Sequence, residues 1–190
     1  MMYDLPVSVE VGGLEREVRW DYRPILDIMA ALNDMELDDI AKTLTVLDIF
    51  YPDLDSIPVD DYGEAVERCM WFINCGNEVD NRRKTPKLMD WEQDFQHIVS
   101  PVNRVIGREI RGREPLHWWS FISAYYEIGD CYFAQIVRIR NKKARGKKLD
   151  KFDQEFYREN KSVVDIKTRY TEAENELLKQ WGGGGNGRQG

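Results

Sequence analysis

The sequence has little that would place the protein in a membrane or outside a cell. No apolar run approaches the ~20 residues of a membrane span. The opening residues Met1-Met2-Tyr3-Asp4 lack the basic start of a signal peptide. There are only three cysteines, Cys69, Cys75 and Cys131, and this odd number favours reduced thiols over a disulfide framework. These absences predict a soluble intracellular protein with no membrane contact.

Residues typical of catalysis or metal binding are also scarce. There are two histidines, His97 and His117, and no acid or cysteine stands at the spacing of a zinc or iron site. Glycines 182–185 follow a predicted helix at the chain end, whereas a phosphate-binding loop precedes one. The acid pairs Asp38-Asp39 and Asp60-Asp61 stand where helix caps are expected. We therefore expect a protein that is not an enzyme and has no metal or cofactor.

Charge is unevenly distributed along the chain. Over 190 residues, 27 basic and 34 acidic side chains give 27 − 34 = −7. Residues 1–81 hold 19 acids and 5 bases, a balance of −14, and residues 82–190 hold 15 acids and 22 bases, a balance of +7. Such asymmetry indicates complementary surfaces, within the fold or between copies of the chain. Two solvated faces that never meet are the equal alternative.

The residue pattern predicts a mainly α fold with a short N-terminal β-hairpin. Valines 7, 9 and 11 alternate with polar residues before Gly12-Gly13, and alternation resumes to Trp20, which is typical of a two-residue hairpin. Helical spacing then begins at Asp21 and continues to residue 181. We expect one domain over residues 1–181, with the hairpin at about 5–20 and a helical bundle at about 22–181. Residues 182–190 are rich in glycine and predict a flexible, disordered tail.

Capping residues and prolines predict where the helices begin and end. Asp21, Asp38 and Asp90 each stand before an apolar periodic stretch, and a fifth helix is expected to open at Glu114-Pro115. Pro101 is expected to kink or restart the fourth helix. The apolar face expected for the second helix comprises Leu37, Ile40, Ala41, Leu44 and Leu47.

The predicted fifth helix is unusually aromatic, with five aromatic side chains in residues 118–126. Its apolar residues fan across about 180°, wider than the roughly 100° stripe of a helix on one core face. One interpretation is a central helix buried on several sides. The other is that part of the fan is a docking surface, with Trp118, Trp119, Phe121 and Tyr125 as the anchors.

A basic run follows the aromatic helix, with a smaller run at Arg82-Arg83-Lys84. Seven of residues 138–148 are basic, which raises the hypothesis of a nucleic-acid surface. The sequence pI near 5.0 and the lack of a nucleic-acid motif argue against it. A solvated linker, or a surface that meets the acidic first half, is favoured. The cations are Arg138, Arg140, Lys142, Lys143, Arg145, Lys147 and Lys148.

Several segments, in order, resemble the bacteriophage family named after a fifteenth gene product, found in long-tailed phages and prophages. The most specific is Leu116-His117-Trp118-Trp119-Ser120-Phe121. The others lie at 5–13, 20–23, 49–52, 71–76, 90–94 and, more loosely, 151–158.

The resemblance implies a role in tail assembly. The family's genes typically lie between those for the major tail protein and the tape-measure protein, the usual position of tail assembly chaperones. The implied function is a non-enzymatic chaperone that keeps the tape-measure protein soluble in the host cell cytoplasm. Its partners would be the tape-measure protein, other tail proteins and further copies of itself. The alternatives are a structural virion protein, such as a tail-completion or connector subunit, and, less favoured, a nucleic-acid binder.

Overall fold

The computed structural model describes residues 4–77 and 86–168, together with Thr171 and Glu174. Its two strands are β1 (Ser8–Val11) and β2 (Leu14–Glu17). The helices within these residues are α1 (Tyr22–Asn33), α2 (Asp39–Phe50), α3 (Tyr62–Ile73), α4 (Trp91–Ile106), α5 (Trp118–Tyr126), α6 (Tyr132–Ala144), α7 (Lys151–Glu159) and α8 (Lys161–Val164). The predicted fold class, mainly α with an N-terminal hairpin, is confirmed.

The hairpin forms where the alternation predicts it. β1 and β2 pair antiparallel, with Val11 opposite Leu14. Gly12 and Gly13 both have positive φ, 61° and 72°, which a two-residue turn of this hand requires and which glycine adopts without a Cβ clash. Val9 and Val11 point into the core, and Val18 joins them just beyond β2. The hairpin is therefore one wall of the core.

Three predicted aspartate caps are confirmed. Asp21 accepts a hydrogen bond from the Arg23 N–H, Asp38 from Ala41 and Asp90 from Gln93. Each bond satisfies a backbone donor that the first helical turn cannot pair internally.

Three local expectations are wrong in whole or in part. α5 begins at Trp118, after the predicted start at Glu114-Pro115. α4 runs from Trp91 to Ile106 through Pro101, so the helix does not restart there, and the alternative of a kink at Pro101 stays a prediction. On α2 the buried residues are Val46, Leu47 and Phe50, whereas Ile40 and Leu44 are exposed. The α2 face is therefore rotated from the expected one, because α2 packs on α1 and α3 with its C-terminal half.

The helices lie in two groups joined through α4 and α5. α1 packs on α2, α4 and α5, while α3 packs on α2 and β1. α6 packs mainly on α4 and α8. The hairpin and α1–α3 thus form one side of the fold, and α6–α8 lie on the other side of α4.

Three predictions lie outside the described residues. They concern the basic run Arg82-Arg83-Lys84, the end of the domain at 181 and the glycine-rich tail over 182–190. Among the described residues, no helix combines the length and apolarity needed to cross a membrane.

Candidate partner-binding site

The start of α5 is held by backbone pairing to the start of α1. The Trp118 N–H donates to the Trp20 carbonyl at 2.9 Å, and the Tyr22 N–H donates to the Leu116 carbonyl at 3.0 Å. The Asp21 carboxylate, already the cap of α1, also accepts from the Leu116 N–H at 2.8 Å. Asp21 therefore binds the N-terminal turn of α1 and the residues just before α5 at the same time. This positions the aromatic helix α5 in the fold.

His117 is the N-cap of α5. Its Nδ1 accepts a hydrogen bond from the Trp119 N–H at 3.0 Å, while its Nε2 lies 2.8 Å from the Pro6 carbonyl. Because a carbonyl can only accept, Nε2 carries the proton and the ring is neutral. The imidazole also stacks on Trp20, with the ring centroids 5.7 Å apart. His117, which belongs to the most specific segment of the family resemblance, therefore links the N-terminal segment, the residues before α1 and the start of α5.

This geometry predicts that stability depends on the charge of His117. Burial lowers the pKa of the imidazole below 6.5, although the Pro6 carbonyl and the Asp21 charge oppose this shift. The unfolded chain therefore takes up the proton first as pH falls, and the folded state loses stability below pH about 6.5, by at most about 1.4 kcal/mol per pH unit. The loss levels off below the folded pKa. The measurement is urea denaturation at pH steps between about 7.5 and 5.

The matched variant is His117→Asn, which keeps a capping acceptor and does not titrate. Its stability should fall less over the same pH range than that of the wild-type protein. Equal slopes for the two proteins would contradict a role for His117 protonation.

Two of the four predicted anchors are core residues. Trp118 and Phe121 are almost fully buried. The Trp118 indole N–H donates to the Ile73 carbonyl at 2.8 Å, and Phe121 stacks on Tyr22 with centroids 4.7 Å apart. Their position does not fit the expectation that they anchor a partner in this conformation, because the ring faces are already covered by the protein itself.

The other two predicted anchors are partly buried. The Trp119 indole N–H donates to the Phe72 carbonyl at 2.8 Å, and the Tyr125 hydroxyl lies 3.1 Å from the Met89 sulfur. Trp119 lines a groove of about 420 Å³ with Leu5 and Val105. Partner binding by Trp119 stays a prediction, with the ring edge at this groove as the part a partner could reach.

A surface with several apolar side chains lies around Trp91, at the first position of α4. On one side of it, a groove of about 530 Å³ runs between α1 and α4 and is lined by Leu26 and Phe95. On the other side, a groove of about 390 Å³ is lined by Ile122 and Tyr126 of α5. We call these two grooves together the Trp91 surface. Tyr126 is 76% exposed at its margin.

Sequence reasoning did not single out the Trp91 surface. The residue pattern of the fourth helix gives no sign that the surface around Trp91 and Phe95 is only partly covered. The Trp91 ring is supported from below by Trp118, Phe121 and Tyr125, at centroid distances of 5.4 to 6.0 Å. The aromatic side chains of α5 thus support the partly buried Trp91 ring, whose exposed part a partner could touch.

The seven cations of the basic segment have different environments. Arg140 is buried and forms two bonds to the Asp94 carboxylate, at 2.6 and 2.9 Å, which corrects its assignment to a basic surface. Arg138 and Lys142 pair with the buried Asp153.

Of the four remaining cations of the segment, one is paired within the described residues and three are not. Lys143 pairs with Asp165, and its ammonium lies 3.9 Å from the Tyr157 ring centroid. Arg145, Lys147 and Lys148 are exposed, and none of their side chains has a hydrogen-bond or ion-pair partner among the described residues. Four of the seven cations are therefore paired within the fold, and three are exposed without a side-chain partner in the described part of the chain.

No cluster of His, Cys, Asp and Glu that could hold a metal ion occurs in the described ranges 4–77 and 86–168. In comparisons with curated proteins and with solved structures, nothing matches the chain. The family model described as "Bacteriophage Gp15 protein" matches residues 1–166. This match covers the hairpin, α1–α8 and every residue of the Trp91 surface. The chain belongs to the bacteriophage Gp15 family.

Proposed function

We propose that this protein is a non-enzymatic assembly chaperone of the phage tail, which binds the tape-measure protein through the Trp91 surface. Membership of the family indicates a phage structural or virion-related protein. The observation that supports the finer role is the pair of grooves that meet at Trp91 and expose apolar side chains with polar ones at their sides. We place this activity in the host cell cytoplasm, with other tail proteins and further copies of the chain as additional partners.

The shape and chemistry of the Trp91 surface suit an amphipathic helix. The apolar side chains of its lining are Leu26, Trp91 and Phe95 on one side and Ile122 and Tyr126 on the other, and charged side chains, Arg23, Asp27 and Arg111, flank them in the first groove. A client helix places apolar side chains at i, i+3, i+4 and i+7 on one face, which two adjoining grooves can receive. A long helical client such as the tape-measure protein exposes apolar stripes until the tail subunits assemble around it. Exposed stripes of this kind promote aggregation.

A chaperone of this kind must also release its client. Trp91 is half-buried and its grooves are open, so each copy offers a modest contact area. Several copies bound along one client would combine modest contacts into a stable complex, and each copy could still leave separately. This is the reason to expect many copies per tape-measure protein.

The test is co-expression with the tape-measure protein, followed by affinity purification and light scattering. We expect a soluble complex that holds several copies, whereas the tape-measure protein alone precipitates. Leu26→Asp and Tyr126→Asp should each reduce the recovered complex by roughly tenfold or more, because a charge in an apolar contact must be desolvated. Ile40→Asp is the matched control for Tyr126→Asp, since Ile40 is 73% exposed against 76% for Tyr126 but lies on α2, outside the Trp91 surface.

Two results would overturn parts of the proposal. A tape-measure protein that stays insoluble with the wild-type protein would remove the chaperone role. A complex that tolerates Leu26→Asp and Tyr126→Asp as well as it tolerates Ile40→Asp would remove the Trp91 surface as the binding site. Recovery of the protein in purified particles at a fixed copy number would favour the structural virion protein instead.

A further inference from the structure

The exposed cations of the α6–α7 connection are grouped in one short stretch. Arg145, Lys147, Lys148 and Lys151 lie within seven residues, and none has a side-chain partner among the residues that the structure describes. In the same stretch, Phe152 is 79% exposed at the start of α7. We call residues 145–152 the basic turn. It presents four positive charges around one exposed aromatic ring.

A complementary stretch connects α2 to α3. Asp53, Asp55 and Asp60 are exposed, and their carboxylates have no hydrogen-bond or ion-pair partner in the described part of the chain. Between them, Val59 is 74% exposed. We call residues 53–61 the acidic loop. It presents at least three negative charges around one exposed apolar side chain.

The acidic loop is fixed in place by the hairpin side of the fold. The Arg16 guanidinium donates to the Ser56 hydroxyl at 3.0 Å, and Ile57 is buried in the core. Two short 3-10 turns, Leu54–Ser56 and Val59–Asp61, give the loop a defined shape. A preformed loop loses little conformational freedom when it binds, so its exposed charges are available at low entropic cost.

The two surfaces belong to different sides of the molecule. The acidic loop contacts the hairpin and α3, whereas the main contacts of α6 are with α4 and α8. The cations of α6 nearest to the core, Arg140 and Lys142, are already neutralised by Asp94, Asp150 and Asp153. Within the described part of one copy, no ion pair therefore joins the cations of the basic turn to the acidic loop.

We propose that the acidic loop of one copy binds the basic turn of the next copy, with Val59 and Phe152 packed together at the centre. The contact joins two different surfaces, so it is heterologous, and each added copy leaves one of each surface free. The interaction therefore builds head-to-tail chains or closed rings. It rests on charge and exposure at these two surfaces, and it does not depend on the tape-measure protein.

The first measurement is the mass of the purified full-length protein by sedimentation at increasing concentration and at two salt concentrations. In about 0.1 M salt, where the Debye length is about 10 Å, we expect the average mass to rise with concentration. In about 1 M salt, where the Debye length is about 3 Å, the rise should be strongly reduced. Monomer at every concentration in the lower salt would overturn the proposal.

Charge-reversed variants locate the contact. Lys147→Glu/Lys148→Glu disables the basic turn and Asp55→Lys/Asp60→Lys disables the acidic loop, and each should weaken self-association by roughly tenfold or more because like charges then face each other. Arg113→Glu/Lys167→Glu is the matched control, since it makes the same change in net charge at two exposed cations elsewhere. Equal association of the control and the basic-turn variant would contradict the assignment.

A mixing experiment distinguishes head-to-tail contact from any symmetric one. The basic-turn variant keeps an intact acidic loop, and the acidic-loop variant keeps an intact basic turn. Mixed together, they should form species larger than two chains, because an intact acidic loop meets an intact basic turn at one contact, and the reversed turn and reversed loop carry opposite charges at the next. Growth that stops at two chains, or no association in the mixture, overturns the head-to-tail proposal, as does salt-sensitive retention of DNA that only the basic-turn variant loses while self-association is unchanged.

Discussion

Replacing Arg140 with alanine is expected to lower the free energy of unfolding by about 3–5 kcal/mol, because it leaves the Asp94 carboxylate charged and unpaired in the core. The Asp94 side chain is fully buried, and that of Arg140 is 4% exposed. The pair is bidentate, with Nη1 2.6 Å from Oδ2 and Nη2 2.9 Å from Oδ1. Loss of the guanidinium alone removes both bonds.

Arg140 also links α8 to the residues just before α4 through hydrogen bonds to backbone carbonyls. Its Nε donates to the Val164 carbonyl at 2.6 Å, and its Nη groups donate to the carbonyls of Val163 and Leu88 at 2.8 and 3.0 Å. In Arg140→Ala the buried Val164 carbonyl and the partly buried carbonyls of Val163 and Leu88 lose a charged donor. We therefore expect faster hydrogen exchange of the α8 backbone in this variant as well as lower global stability.

The measurement for Arg140 is chemical denaturation, with Lys148→Ala as the control. Lys148 belongs to the same basic run but is exposed, so its replacement should change stability by about 0.5 kcal/mol or less. The double variant Arg140→Met/Asp94→Leu should recover much of the loss, because it removes both charges together. A loss of less than about 1 kcal/mol in Arg140→Ala would contradict the structural role.

Trp118→Ala is expected to destabilise the protein by about 3–5 kcal/mol, the usual range when a fully buried tryptophan is removed. Its ring packs on Phe121 and on Trp91, with centroids 5.7 and 6.0 Å away. Removing it leaves a cavity beneath the Trp91 surface and also leaves the Ile73 carbonyl without its donor. Urea denaturation of the variant gives the value directly.

Two comparisons separate packing from other effects at this position. Trp118→Phe keeps much of the ring volume but still leaves the Ile73 carbonyl without its donor. Its free energy of unfolding should therefore fall less than that of Trp118→Ala. Tyr126→Ala removes an aromatic ring of the same helix that is 76% exposed, and its effect on stability should stay within about 0.5 kcal/mol. If the Trp118→Ala protein were as stable as the Tyr126→Ala protein, the assignment of Trp118 to the core would be contradicted.

Local sequence signals identified the hairpin and most helix starts. Gly12-Gly13 and the capping residues Asp21, Asp38 and Asp90 act over two to four residues, through positive φ or a single side-chain hydrogen bond. Such effects do not depend on the rest of the fold.

Predictions that needed knowledge of neighbours were less successful. The start of α5 moved to Trp118 because His117 caps it while held by Pro6, 111 residues away in the sequence. The α2 face rotated because α1 and α3 cover Val46 and Phe50 and leave Ile40 in solvent. Helical periodicity specifies that a face is apolar, but the packing partner decides which part of it is covered.

The sequence by itself therefore determined the fold class, the hairpin and the family, because these follow from short-range geometry and from ordered motifs. Only the tertiary structure decided the roles of chemically equivalent side chains. Trp118 lies in the core and Tyr126 in solvent, and Arg140 is a buried ion-pair partner whereas Lys148 is free. The physical reason is that burial and charge pairing depend on segments distant in the chain, such as Asp94 for Arg140, that the fold brings together.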